Sequence, residues 1–294
     1  MVERPYFTVL MPTNGREDVV GHAIGSVLAQ TETDFELLVV GDGCTDGTES
    51  CVRAIGDPRL RWLGYDKAPG PGYGNRNRAL HEARGEVIAF AQHDDLMFPD
   101  HLQIMRQLFR RTTAMWAYSR PLWIDDDGFI IPFFVNLTVP AARNAFMTQR
   151  NVIPSNCVAA RRDALLAVGG FDATAERAGD WVLWKAVIEQ YGPNSIAFAR
   201  TPTSLHFRAL WKPGEKPWGP PPLSHMAAMA RFSPQWPRAL KLDLEPGMPP
   251  QAHVAAMLEA DTAGLVARIR ASTANLQDHF AWISSFNPLE AGGG

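Results

Sequence analysis

Along the first hundred residues, apolar positions follow two alternating spacings. Phe7, Thr8, Val9, Leu10 and Met11 form a short run that reads as a strand stopped by Pro12. Across 16–30, Val19, Val20, Ala23, Ile24, Val27 and Leu28 fall at helical intervals. A second β-rich run covers 35–40 and stops at Gly41, Asp42 and Gly43; a helix over 45–55 follows, with Thr45 or Asp46 as its cap. The pattern then predicts a strand at 60–63, a helix at 75–83 and a strand at 87–91. Strands alternating with helices imply a mostly parallel sheet covered on both faces.

Beyond Pro99 the order loosens. The spacing predicts a helix to about residue 110, a strand at 114–120 and a hairpin at 124–130 around the acidic turn Asp125, Asp126 and Asp127. A short helix at 163–168 precedes Gly169, Gly170, Phe171 and Asp172. A helix at 180–191 places Trp181, Trp184, Val187 and Ile188 on one face. Residues 211–222 are too proline-rich for regular structure and read as a linker or lid. In the tail, Leu258, Leu265, Ile269, Leu276, Phe280 and Ile283 form a stripe over 254–283. That stripe would pack on its own domain or form a homodimer contact. The expected organisation is a domain at 1–210, with halves about 1–100 and 101–210, a linker at 211–224 and a helical extension at 225–294.

Of the 294 residues 46% are hydrophobic, enough for a substantial core, and the net charge of −3 argues against a nucleic-acid partner. The three cysteines Cys44, Cys51 and Cys157 show no metal-ligand spacing, so a reducing compartment is expected. The beginning of the chain lacks a signal peptide's apolar region, and no apolar run approaches a membrane span, so a cytoplasmic location is expected, with attachment to the inner membrane face as a variant.

The most informative chemistry is Asp94-Asp95 at the end of the strand over 87–91. Ligands bind open α/β sheets at the carboxyl ends of the strands. Adjacent carboxylates repel, and a hard divalent cation shared with a diphosphate would compensate them. A plain helix cap before Pro99 is the bland alternative.

Several motifs stand in one order. They are Met11-Pro12-Thr13-Asn14-Gly15-Arg16, Ser26-Val27-Leu28-Ala29-Gln30-Thr31, Gly41-Asp42-Gly43-Cys44-Thr45-Asp46-Gly47-Thr48, Gly72-Tyr73-Gly74-Asn75-Arg76-Asn77, His93-Asp94-Asp95, Gly169-Gly170-Phe171-Asp172 and Gly179-Asp180-Trp181-Val182-Leu183-Trp184. Over roughly residues 5–207 the chain resembles a family 2 glycosyltransferase. Three family acids are replaced: Gly41, His93 and Gly179 stand where the family has carboxylates.

The resemblance implies a GT-A fold, that is, a Rossmann-like, mostly parallel central sheet with helices on both faces, here with a mainly helical C-terminal extension. It implies metal-dependent, inverting transfer from a nucleotide-sugar, most commonly a UDP-sugar, to a hydroxyl of a glycan, lipid-linked sugar or glycoconjugate. It assigns Pro12, Thr13, Asn14, Arg16, Asp42, Gly72, Arg76, Asn77, His93 and Asp94 to the donor, with Asp42 facing the base and Asp94 the ribose or a metal-bound water. Asp95 and His206 would hold Mn2+ or Mg2+, and Asp180 would be the general base. Lys212 and Lys216 could close over the diphosphate, although solvated linker lysines explain them as well. One or two of Trp116, Trp123, Trp181, Trp184, Trp211 and Trp218 are expected to line the acceptor site. A nucleotide-sugar-binding protein without activity and a sugar-phosphate nucleotidyltransferase are the alternatives.

Overall fold

The protein is described here from a computed structural model covering residues 4–125, 127–149, 151–207, 223–234 and 236–279. In chain order the elements are β1 (Phe7–Thr13), α1 (Val20–Leu28), β2 (Phe35–Asp42), α2 (Thr48–Ala54), β3 (Leu60–Tyr65), α3 (Tyr73–Glu82), β4 (Val87–Phe90), β5 (Leu96–Met97), α4 (His101–Arg111), β6 (Trp116–Ser119), β7 (Leu122–Ile124) and β8 (Ile130–Pro132). Then come α5 (Pro140–Thr148), β9 (Val158–Arg161), α6 (Arg162–Ala167), α7 (Gly179–Tyr191), β10 (Ile196–Ala199), β11 (Ser204–Phe207), α8 (Leu223–Phe232), α9 (Pro250–Ala260) and α10 (Thr262–His279).

A seven-stranded sheet runs in the order β10-β6-β9-β4-β1-β2-β3. Neighbours are parallel except at β9, which is antiparallel to both β4 and β6. A smaller sheet, β5-β11-β7-β8, lies beyond the carboxyl end of β4. Side-chain alternation sorts the strands between two cores. Phe7, Val9, Met11, Leu37 and Val39 face α1, α2 and α4, whereas Leu10, Leu38, Val40, Ile88 and Phe90 face α3, α6 and α7. The mostly parallel sheet with helices on both faces is therefore the observed architecture.

Several boundaries moved for physical reasons. β1 does not stop at Pro12; it continues to Thr13 in register with β2. The Leu10 carbonyl accepts from Ala91, so even positions of β1 direct their backbone groups toward β4. Pairing with β4 ends at Leu10, and the missing Pro12 donor falls beyond it. The strands β9 and β10 escaped the sequence reading because four residues rich in alanine carry no readable period.

The described part of the 254–283 stripe is carried by two helices, α9 and α10. Asp261, at φ −151°, leaves the helical region, and its carboxylate accepts the Gly264 N–H at 2.9 Å. Val254, Leu258, Leu265 and Ile269 join the same core as α3 and α7, so this part of the tail packs on its own domain. Arg270 ties it down through Asp100 at 2.7 and 2.8 Å. Phe280, Ile283, Trp211, Lys212, Lys216 and Trp218 lie outside the described residues. No helix among the described residues is long and apolar enough to cross a membrane.

Two of the replaced acids have a steric explanation. A Cβ on Gly41 would come within 2.4 Å of the Trp62 ring. A Cβ on Gly179 would come within 2.4 Å of the Tyr73 ring, whose hydroxyl accepts the Gly179 N–H at 2.8 Å. In each case an aromatic ring fills the volume that an acidic side chain would need.

Gly179→Ala should therefore lower stability by about 1–3 kcal/mol through overpacking. The same change made on a Tyr73→Ala background should cost much less. Urea denaturation of the four variants checks this; additive losses would contradict it. A second expectation concerns His101, which is fully buried, with Nδ1 2.7 Å from the Thr203 hydroxyl. Burial pushes its imidazole down to about 4 from 6.5. Between those values the unfolded chain binds a proton that the folded chain does not, so stability falls as the pH drops. The loss from this group should reach about 2 kcal/mol at pH 5 relative to pH 7.5. Urea midpoints at the two pH values should show it, and His101→Leu should remove it; an unchanged pH response in that variant would contradict the assignment.

Candidate active site

Carboxylates collect where the strands end. A cleft of about 340 Å3 opens there, lined by Pro12, Thr13 and Asn14 from the end of β1, Asp42 from β2, Arg76 from α3, and His93 and Asp94 after β4. Gly72 also lines it, at φ +82°, and a Cβ there would lie 2.5 Å from Asp42 Oδ2. Only glycine suits both the left-handed backbone and that approach. The Thr13 hydroxyl and Arg76 Nε are buried and have no hydrogen-bond partner among the described residues. Buried polar atoms are nearly always satisfied, so their position in a cleft marks a place for a ligand.

Asp42 is 6% exposed and heavily solvated by protein. Its Oδ1 accepts from the Ala68 N–H at 2.8 Å and Asn75 Nδ2 at 2.7 Å; its Oδ2 accepts from Lys67 Nζ at 2.6 Å. Asn14 donates to the Asp42 carbonyl, which anchors the β1 loop against β2. Asp94 faces the cleft with Arg16 Nη1 at 3.6 Å and His93 Nε2 at 3.7 Å. Arg16 is also gripped by Asp18 at 2.8 and 3.0 Å and is not among the residues that line the cleft.

Asp95 turns away from Asp94. It is buried, and His206 Nδ1 lies 2.9 and 3.0 Å from its two oxygens, while the Phe207 N–H donates to Oδ1 at 2.8 Å. Burial pushes its carboxyl pKa up, and the facing His206 works against that. The two residues expected to hold a metal are thus in contact, brought together from 111 positions apart. Cis ligands of an octahedral ion, each about 2.1 Å from it, lie about 3 Å apart, so the pair fits Mn2+ or Mg2+. No group of three His, Cys, Asp or Glu side chains among the described residues is set to hold an ion. Two protein ligands suit an ion whose remaining positions go to phosphate oxygens and water.

Asp180 opens α7. Its Oδ1 accepts from Arg76 Nη1 at 2.9 Å, and its Oδ2 accepts from the Ser155 hydroxyl. The Arg76 guanidinium lies over the Tyr73 ring, 4.9 Å from its centre. Arg76 therefore links the cleft to Asp180, the expected base.

Asn77 does not reach the cleft. Its amide is spent on both backbone groups of Phe171, at 2.7 and 2.8 Å, joining α3 to the loop before α7. The sequence reading missed Lys67, Asn75 and Ser155; only Asn75 carried a signal, lying inside the Gly72–Asn77 motif. Of the tryptophans, Trp116 and Trp184 are fully buried core. Trp123 stands edge-on to His206 at 4.4 Å, and Trp181 is half-buried with Lys185 over its ring at 4.6 Å.

The sequence profile of glycosyl transferase family 2 matches residues 8–168, more than half of the chain. The succinoglycan biosynthesis protein ExoO of Rhizobium meliloti (strain 1021) is 40% identical over 113 residues, 38% of this chain and 31% of that protein. The UDP-Glc:alpha-D-GlcNAc-diphosphoundecaprenol beta-1,3-glucosyltransferase WfgD of Escherichia coli is 30% identical over 126 residues, 43% of this chain and 49% of that protein. The chain spans less than half the length of either relative. The mannosyltransferase PcManGT from Pyrobaculum calidifontis, solved with GDP-Man and Mn2+, matches with a TM-score of 0.53 at 20% identity, over 99% of this chain and 85% of that one. At that identity the likeness carries the fold, which is GT-A. The profile match over more than half its length, on the motifs that build the cleft, makes this chain a member of glycosyl transferase family 2.

Proposed function

We propose that the protein is a metal-dependent, inverting glycosyltransferase that moves a sugar from a nucleoside-diphosphate donor to a hydroxyl of a glycan or lipid-linked acceptor. The observation that carries this reading is the contact between Asp95 and His206 beside a cleft that holds Asp42 and Arg76. That pair would supply an ion site, Asp42 a polar wall for a base and Arg76 a cation for phosphate. UDP is the first donor to test, because the Escherichia coli relative is described as using UDP-Glc and Asp42 has an acceptor position suited to a uracil N–H. That relative's lipid-linked acceptor supports the acceptor class proposed for this chain.

In this reading Asp42 fixes the base and the Thr13 hydroxyl meets the nucleoside. Arg76 lies against the diphosphate while its Nη1 holds Asp180. Asp95 and His206 would hold Mn2+ or Mg2+, which when bound neutralises charge on the departing diphosphate. An acceptor hydroxyl is a weak nucleophile and needs a base as it attacks. Asp180 takes that proton once the incoming hydroxyl replaces Ser155 at Oδ2. Direct attack from the face opposite the leaving group inverts the anomeric centre. Trp123 and Trp181 are the aromatic faces on which the acceptor sugar would rest.

Release of nucleoside diphosphate from UDP-sugars, with water as the acceptor, tests the assignment without knowledge of the natural acceptor. Asp180→Asn should lower turnover by about 100-fold or more while leaving donor affinity within about threefold. Asp95→Ala should abolish the manganese dependence of donor binding. Full turnover in Asp180→Asn would remove its role as base, and wild-type binding without turnover would favour a donor-binding protein.

A further inference from the structure

Lys67 spends every proton it has. An ammonium carries three N–H donors. Here they meet Asp42 Oδ2 at 2.6 Å and the carbonyls of Ala68 and Gly70, each at 2.8 Å. Asp42 is nearly as full, because a carboxylate offers about four acceptor positions and three are taken. Ala68 and Asn75 occupy Oδ1, so the remaining position lies on Oδ2, beside the Lys67 ammonium.

We propose that Lys67 is a specificity-determining residue, and that with Asp42 it reads the edge of the donor's base. This rests on the reading of the cleft as a nucleoside-diphosphate site. A ring that approaches Oδ2 must bring an N–H to the carboxylate. The substituent next to that N–H then faces the ammonium and must be an acceptor. Uracil and thymine offer this pair as N3–H and O4, and guanine offers it as N1–H and O6. Cytosine and adenine present the opposite signs, a ring-nitrogen lone pair to the carboxylate and an amino group to the ammonium. Lys67 gives up one loop carbonyl, Ala68 or Gly70, to donate to the base carbonyl, so one hydrogen bond replaces another. Its side chain is about half exposed, at 48%, which leaves room for that exchange. Pro12, Val40 and Pro71 line the same cleft and supply apolar surface for the ring.

A lysine that merely neutralised Asp42 would affect all nucleotides alike, so the ratio between nucleotides is the informative readout. Calorimetric titration of UDP, TDP, GDP, CDP and ADP in the presence of Mn2+ would be made on the wild type, Lys67→Met and Lys67→Arg. At least one of UDP, TDP and GDP should bind the wild type about 100-fold more tightly than CDP and ADP. In Lys67→Met that preference should shrink at least about tenfold, through weaker binding of the preferred nucleotide with little change for CDP. Lys67→Arg should keep most of it. Wild-type binding of CDP or ADP as tight as the best of the other three would overturn the proposal, as would an unchanged ratio in Lys67→Met. Failure of every nucleotide to bind the wild type would overturn the donor reading itself, which separates the two failures.

Discussion

Three acids at this site, Asp42, Asp95 and Asp180, are drawn at least partly out of bulk water by the fold, and each meets an identifiable set of polar partners. Asp42 is met by Lys67, Asn75 and the Ala68 N–H; Asp95 by His206 and the Phe207 N–H; Asp180 by Arg76 and Ser155. Burying a carboxylate without partners is strongly unfavourable, so these contacts decide which loops lie against which strands. The β3–α3 loop is held by Asp42, the start of α7 by Arg76, and β11 by Asp95. The seven-stranded sheet places Asp42 at the end of β2 and Asp95 beyond β4, α7 places Asp180, and polar partners set what surrounds them.

The same contacts describe how a substrate would enter. In the proposed reading a donor base would exchange with part of the Lys67 network. An ion would exchange with the contact between Asp95 and His206, and an acceptor hydroxyl with Ser155. Each is a substitution of one polar partner for another within a prearranged cage. Such a site pays little reorganisation when it is filled, which is the condition under which fixed dipoles and charges act most strongly on a reaction.

Much of this was legible in the sequence. Short apolar runs and helical spacings alternate through residue 99, and Asp42, Asp94 and Asp95 lie at or just after the strand ends where an open α/β sheet binds ligands. The sequence offered His206 as one candidate partner of Asp95 only through the family resemblance; their contact is set by the pairing of β11 with β5. What escaped the reading was set by tertiary packing. Asn75 and Asn77 are two residues apart on α3 and so point in different directions; the first reaches Asp42 and the second Phe171. Nothing local marks Ser155 as a neighbour of Asp180. The replacements at Gly41 and Gly179 read as lost acids in the sequence, and only the structure shows that Trp62 and Tyr73 fill those volumes. The short alanine-rich strands β9 and β10 have no periodic signal and are fixed by the neighbours they pair with.

The most direct test of the central claim is the anomalous scattering of manganese in crystals grown with Mn2+ and UDP. One strong peak bonded by Asp95 and His206 and by diphosphate oxygens is expected, with the uracil edge against Asp42. A nucleotide bound elsewhere, or bound in this cleft with manganese absent from Asp95 and His206, would contradict it.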